Sequence, residues 1–247
     1  MSVKPVVLLG GMLCNQRLWQ GMLPKLAQRC QVQAIDLSLI VEPKAVNAAL
    51  GDIVHANTHL AGFSLGGYQS LLHASSTSKL ASLIVIASGG AAVKPAERSF
   101  RQRLIDSIDT GQQFDLMPLP QLRKNLASEP QARFQAAAQQ MRAMAAEVGP
   151  RVLQNQLNFT LAQKDLKPRL ANIQCPTLII GGSRDKTISL EQLQALCDGI
   201  PNAELVMVPG SGHMLPLEAP DQVATIMNRF YDQLPTTMMP ALRSDSQ

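Results

Sequence analysis

The pentapeptide Gly62-Phe63-Ser64-Leu65-Gly66, followed by Gly67, carries the most specific chemical signal in the chain. It follows the apolar run His59-Leu-Ala61 and precedes a helical stretch. In that context the spacing predicts a sharp strand-to-helix turn that exposes the serine hydroxyl on a constrained backbone. Gly62 and Gly66 suit such a turn, because side chains there would collide where strand and helix approach. The helix that follows directs the positive end of its dipole at any oxyanion forming beside Ser64. A serine hydroxyl at neutral pH is a poor nucleophile and still needs a base.

The chain has four histidines, which makes the search for that base short. His55 and His59 precede the turn, and His73 lies on the helix after it, pointing away from its start; all three read as structural or surface residues. His213 lies in the loop Pro209-Gly-Ser-Gly-His-Met-Leu-Pro216, just past the apolar run that ends at Val208. A loop at the carboxyl end of a strand is where parallel sheets gather reactive groups. The preceding strand-end loop, Ile179-Ile-Gly-Gly-Ser-Arg-Asp185, offers a carboxylate. Asp185 would accept the Nδ1 proton of His213, fix its tautomer and stabilise the imidazolium. Asp36, also at a strand end, is the competing carboxylate, but it precedes the serine in the chain. Arg184 reads as a surface or loop-anchoring charge. Donors for an oxyanion would be the backbone N–H of Leu65, next after the serine, and that of Met12, after the Gly10-Gly11 turn.

These residues need a frame that brings strand ends together. Six short apolar runs read as strands buried on both faces: Pro5–Leu9, Val32–Ile35, His59–Ala61, Leu83–Ile86, Thr177–Ile180 and Glu204–Val208. Helical stretches over Trp19–Cys30, Tyr68–Ser76, Leu190–Cys197 and Asp221–Leu234 separate most of them. The alternation predicts an α/β protein with about six mostly parallel strands and helices on both faces. From residue 93 to 169 no strand is evident, only helical periodicity punctuated at Met117-Pro-Leu-Pro120, Glu129-Pro130 and Gly149-Pro150. Within it, Gln131–Val148 reads as one amphipathic helix. This segment is expected to be a helical cap inserted in a core of residues 1–92 and 170–236, with 237–247 as a frayed tail. The rival reading, another core strand–helix unit, needs a strand that the segment does not offer.

Composition narrows the function classes. Apolar residues make up 46% and charged residues 16%, a globular balance. No apolar run approaches the roughly 20 residues that span a bilayer, and the N-terminus lacks a secretory pattern, so the expected location is cytoplasmic. Cys14, Cys30, Cys175 and Cys197 form no C-x-x-C pair and no metal-ligand spacing, and read as reduced thiols. Cys14 stands apart, because it follows the Gly10-Gly11 turn. Net charge is +4, and residues 94–169 alone carry twelve basic and seven acidic side chains. Aromatics, at 4%, are too sparse for nucleic-acid binding. The basic surplus reads as a solvated helical surface or as a preference for an anionic substrate. Met117, Phe134, Met141 and Met144 would either line an apolar cavity or form helix packing.

Together, Val6-Val-Leu-Leu-Gly-Gly-Met12 with Trp19, the Gly62–Gly67 turn, Cys175-Pro-Thr-Leu-Ile-Ile-Gly-Gly-Ser-Arg-Asp185 and Val208-Pro-Gly-Ser-Gly-His-Met-Leu-Pro216 resemble the α/β-hydrolase family. The resemblance implies a cap after the strand at Leu83–Ile86 and is nearest to small carboxylesterases, methyl ester esterases and enol-lactonases. Many relatives carry His-Gly where this chain has Gly10-Gly11, and a Gly- and Ser-rich loop where it has residues 37–43. The expected activity is hydrolysis of a small-molecule carboxylic ester by Ser64, His213 and Asp185 through an acyl-enzyme, without metal or organic cofactor. An anionic acyl group would match the basic cap. Cleavage of a lactone, thioester or C–C bond, or perhydrolysis, by the same residues stays open, as does a non-catalytic binding protein on the same fold. No oligomeric state follows from the sequence.

Overall fold

Each of the six apolar runs becomes a strand of one sheet: β1 (Lys4–Leu9), β2 (Cys30–Ile35), β3 (His59–Phe63), β4 (Ser82–Ile86), β5 (Thr177–Gly182) and β6 (Ala203–Val208). The computed structural model describes residues 4–35, 37, 43–55, 57–77 and 80–234. Neighbouring strands pair in parallel throughout, in the order β2-β1-β3-β4-β5-β6. Every residue of β3, β4 and β5 is buried, whereas the edge strands β2 and β6 are mostly half-exposed. That explains why the central strands are unbroken apolar runs.

Parallel strands require long crossovers, and helices supply them. Strand side chains alternate between two cores. Leu8, Phe63, Ile86 and Ile180 face one core with Trp19, Met227 and Phe230; Leu9, Leu60, Val85 and Ile179 face the other with Leu50, Leu71 and Leu193. The second core is closed by α2 (Pro43–Ile53), α3 (Leu65–Ala74) and α7 (Leu190–Gly199). The first is closed by α1 (Leu23–Leu26) and α9 (Pro220–Gln233), preceded by the single turn α8 (Leu215–Glu218). The continuous helix expected over Trp19–Cys30 does not form. A 3₁₀ turn at Gln16–Trp19 and the four-residue α1 replace it, and Cys30 already belongs to β2. Pro24 stands in the first turn of α1, where its missing N–H is harmless; further into a helix it would break one.

Between β4 and β5 lie α4 (Pro95–Asp109), α5 (Leu119–Asn125) and α6 (Gln131–Leu161), with no strand among the described residues. Gly149 has φ 80° and ψ 170°, so α6 is two helical segments meeting at the Gly149-Pro150 boundary. The apolar side of this insertion, including Ile105, Leu122, Met144 and Leu157, joins the core on the α1/α9 face. A 3₁₀ turn at Lys167–Asn172 then leads back to the sheet, with Leu170 in the opposite core. Asp36 and the tail 237–247 lie outside the described residues.

Candidate active site

The turn at Gly62–Gly67 forms as a strand end driven directly into α3. Ser64 has φ 52° and ψ −112°, a conformation that L-residues rarely adopt. Its N–H donates to the Ile86 carbonyl at 2.9 Å, and its own carbonyl accepts from Ser88 Oγ at 2.7 Å. A Cβ on Gly62 would run into the Gly66 carbonyl and Ser70 Oγ, and one on Gly66 into the Leu9 carbonyl. Both glycines are thus explained by close approach.

Ser64 Oγ lies 3.0 Å from His213 Nε2, and His213 Nδ1 lies 2.8 Å from Asp185 Oδ2. The Asp185 side chain is fully buried, and that of His213 is 6% exposed. Asp185 Oδ1 accepts the N–H groups of Thr187 at 2.7 Å and Ile188 at 3.0 Å, leaving Oδ2 for the imidazole. The ring of Phe63 packs 5.3 Å from that of His213, centre to centre. The three side chains come from the ends of β3, β5 and β6, as the sequence predicts. Arranged this way, they form a hydrogen-bonded relay able to draw a proton from a hydroxyl.

Leu65 opens α3, so its N–H is among the four that have no carbonyl partner within the helix. Met12 follows β1 in the adjoining loop and lines the same cavity as Ser64. The loop is held from the insertion: the N–H of Leu13, itself at φ 55°, donates to Gln156 Oε1 at 2.9 Å. The non-glycine residues described with positive φ are Leu13, Ser64 and Ala87, and each follows a strand end at this site.

Ser64 and His213 open on a cavity of about 290 Å³ roofed by the insertion. Met117, Met141 and Met144 line it, and so does Phe100, which is 58% exposed at its edge; Phe134 instead packs against the core. A second cavity of about 210 Å³ also borders Ser64, on the Leu65 side. Cys14 lines the first cavity, but burial pushes its thiol up to about 12, and Sγ lies 3.4 Å from the Met12 carbonyl. It is no competing nucleophile.

The remaining histidines are elsewhere. Buried His59 lies in β3 with Nδ1 2.8 Å from Ser82 Oγ, and His73 is buried on α3, where desolvation lowers its pKa. His55 precedes β3, and exposed Arg184 meets the histidine loop through its backbone N–H, which donates to Ser211 O. Among the described residues no cluster of His, Cys, Asp or Glu is arranged to hold a metal ion, and no helix is long and apolar enough to cross a membrane.

Sequence reading missed the residues that hold the histidine loop. Glu218 is buried, and its Oε2 accepts both Gly212 N–H at 3.1 Å and Ala127 N–H at 2.8 Å. Burial raises its pKa, against those two backbone donors. The Asn125 carbonyl accepts the N–H groups of His213 and Met214 at 2.8 and 3.1 Å, and Arg133 Nη2 donates to Gly210 O at 2.6 Å. The insertion is thereby stitched to the loop that carries His213. The only sequence signal was an acid five residues past that histidine.

The sequence profile of the Alpha/beta hydrolase family matches residues 6–226. A pimeloyl-[acyl-carrier protein] methyl ester esterase from Xanthomonas campestris pv. campestris is 35% identical over 75 residues, covering 30% of this chain and 30% of that protein. That alignment therefore spans less than a third of the relative's length. The protein of the same description from Aeromonas hydrophila is 27% identical over 256 residues, covering 91% of this chain and 94% of that one. In fold, a thermophilic esterase from Thermogutta terrifontis superposes with a TM-score of 0.82 at 20% identity, covering 95% of this chain and 91% of that one.

Proposed function

We propose that this chain, which belongs to the alpha/beta hydrolase family, hydrolyses a small-molecule carboxylic ester through an acyl-enzyme formed on Ser64. The observation that carries the reading is the relay Asp185–His213–Ser64 opening on a largely apolar cavity. In this reading Ser64 Oγ attacks the ester carbonyl while His213 Nε2 takes its proton. Asp185 holds the imidazole in the tautomer that leaves Nε2 free to accept, and stabilises the imidazolium. The N–H groups of Met12 and Leu65 receive the developing oxyanion; one such donor typically contributes a factor on the order of 10² to 10³ in rate. His213 then gives that proton to the departing ester oxygen, which leaves as the alcohol, and water activated by the same nitrogen releases the acid. The insertion roofs the cavity and so helps to select the substrate.

The Aeromonas relative, named for a methyl ester substrate and aligned over nearly its whole length, supports an ester as the bond cleaved. Labelling by a fluorophosphonate probe, mapped by mass spectrometry, is expected at Ser64. Ser64→Ala should lose labelling and lower aryl ester turnover by a factor on the order of a million. Undiminished turnover in that variant overturns the assignment, and a wild-type chain that neither labels nor turns over any ester points instead to a binding protein.

A further inference from the structure

Ser64 lies between two unlike cavities. Met12, Thr187, Glu97, Arg101 and Lys124 border both, but only the 290 Å³ cavity is walled by His213, together with Phe63 and Met214. The 210 Å³ cavity runs the other way, past Leu65 and Ser88 to Lys94. His213 must hand its proton to the leaving oxygen, so the alcohol departs on the side that the imidazole walls. That leaves the second cavity, which also borders Ser64, for the acyl chain.

That second cavity is cationic. Lys94, Arg101 and Lys124 line it against one acid, Glu97. Among the described residues neither lysine takes part in an ion pair, and Arg101 pairs with Glu97 alone, at 3.4 Å. The pairing is weak for its setting: the Arg101 side chain is 23% exposed, whereas that of Glu97 is 50% exposed and well screened by water. Burial accordingly holds the Arg101 guanidinium below its ordinary pKa despite Glu97. A partly buried, under-compensated guanidinium that shares a cavity with two ammonium groups outside any ion pair suits an anion, and its planar fork matches a carboxylate.

We infer that the preferred substrate is an ester whose acyl chain ends in a carboxylate, held by Arg101 with Lys94 and Lys124 in the cavity on the Leu65 side of Ser64. This rests on the reading of Ser64 as nucleophile. The test compares monobutyl glutarate with butyl pentanoate, which share an alcohol and nearly an acyl length but differ in the terminal carboxylate. The ratio of their kcat/KM values in the wild type is expected to favour the carboxylate by about tenfold or more, the scale of one charge-assisted hydrogen bond. It should fall toward one in Arg101→Gln, recover in part in Arg101→Lys, and shrink in the double variant Lys94→Gln/Lys124→Gln. Arg103→Gln removes a charge from the same helix without touching either cavity and should keep the wild-type ratio. Equal rates for the two esters, or a ratio that survives Arg101→Gln, overturn the carboxylate site. If Ser64 labels with a fluorophosphonate yet neither ester reacts, the site is overturned and the nucleophile stands. Failure of labelling itself overturns the reading beneath it.

Discussion

Asp185 divides its two oxygens between tasks: Oδ1 is fixed by the Thr187 and Ile188 N–H groups, and Oδ2 faces His213 Nδ1. In Asp185→Asn one of those positions must become an amide NH₂ that faces another donor. The variant is expected to fold while kcat drops by about 10⁴, the cost of the wrong imidazole tautomer; steady-state kinetics with circular dichroism check both halves. Cys14 offers a contrasting test. With its thiol pushed up to about 12 by burial, only about one part in ten thousand is thiolate at pH 8. Native protein treated with iodoacetamide should remain unmodified at Cys14 until it is unfolded. The position of Ser64, Asp185 and His213 at strand ends was legible because each lies a short way past an apolar run, which marks the loop as a strand end. Glu218 was not, because an acid in a helical turn reads as a surface charge, and its burial depends on Ala127, 91 positions away.

Elements were legible where burial made them simple. The strands were found because parallel, doubly covered β-structure leaves continuous apolar runs. The break in α6 was marked by Gly149-Pro150, where one helical segment ends and the next begins. The stretch before β2 carried a comparable mark in Gly21 and Pro24, which reading Trp19–Cys30 as one helix passed over. The link between α5, α8 and the histidine loop was invisible, because every bond in it uses a backbone group, and a single side chain, Glu218, joins them. Its electrostatics make a test. Burial raises the Glu218 pKa above the ordinary 4.5, so the folded chain binds that proton more tightly than the unfolded chain does. The stability conferred is therefore full below about pH 4.5 and is lost as pH rises through the folded-state value. Glu218→Gln removes the titration. Urea unfolding of both proteins should show the advantage of wild type over variant declining as pH rises through that window; a pH-independent difference refutes the assignment.

Across the molecule, the insertion shares a continuous core with the α1/α9 face of the sheet, so its helices and the sheet are expected to melt together. Leu157, 3% exposed, belongs to that core and also lines the larger cavity. Leu157→Ala should cost about 2–5 kcal/mol and lower a single calorimetric transition, not split off a separate early one. The sequence showed that helices interrupt the sheet but not that they share its core, because residues far apart in the chain make the contact. Gln156, next to Leu157, extends the coupling to the Met12–Leu13 loop. Gln156→Leu should lower kcat by about tenfold with a smaller change in KM, since in the proposed mechanism the Met12 N–H acts in the transition state.

The left-handed backbone at Leu13, Ser64 and Ala87 sets folding against reactivity within one chain. Such conformations cost on the order of 1–3 kcal/mol each in non-glycine residues, and glycine relieves most of that. Ser64→Gly should therefore be inert yet melt a few degrees above the wild type, whereas Ser64→Ala should be inert without that gain. A population of variants screened for heat resistance alone would drift toward glycine at position 64. Under the proposed mechanism, only a screen that also reads turnover would keep the serine.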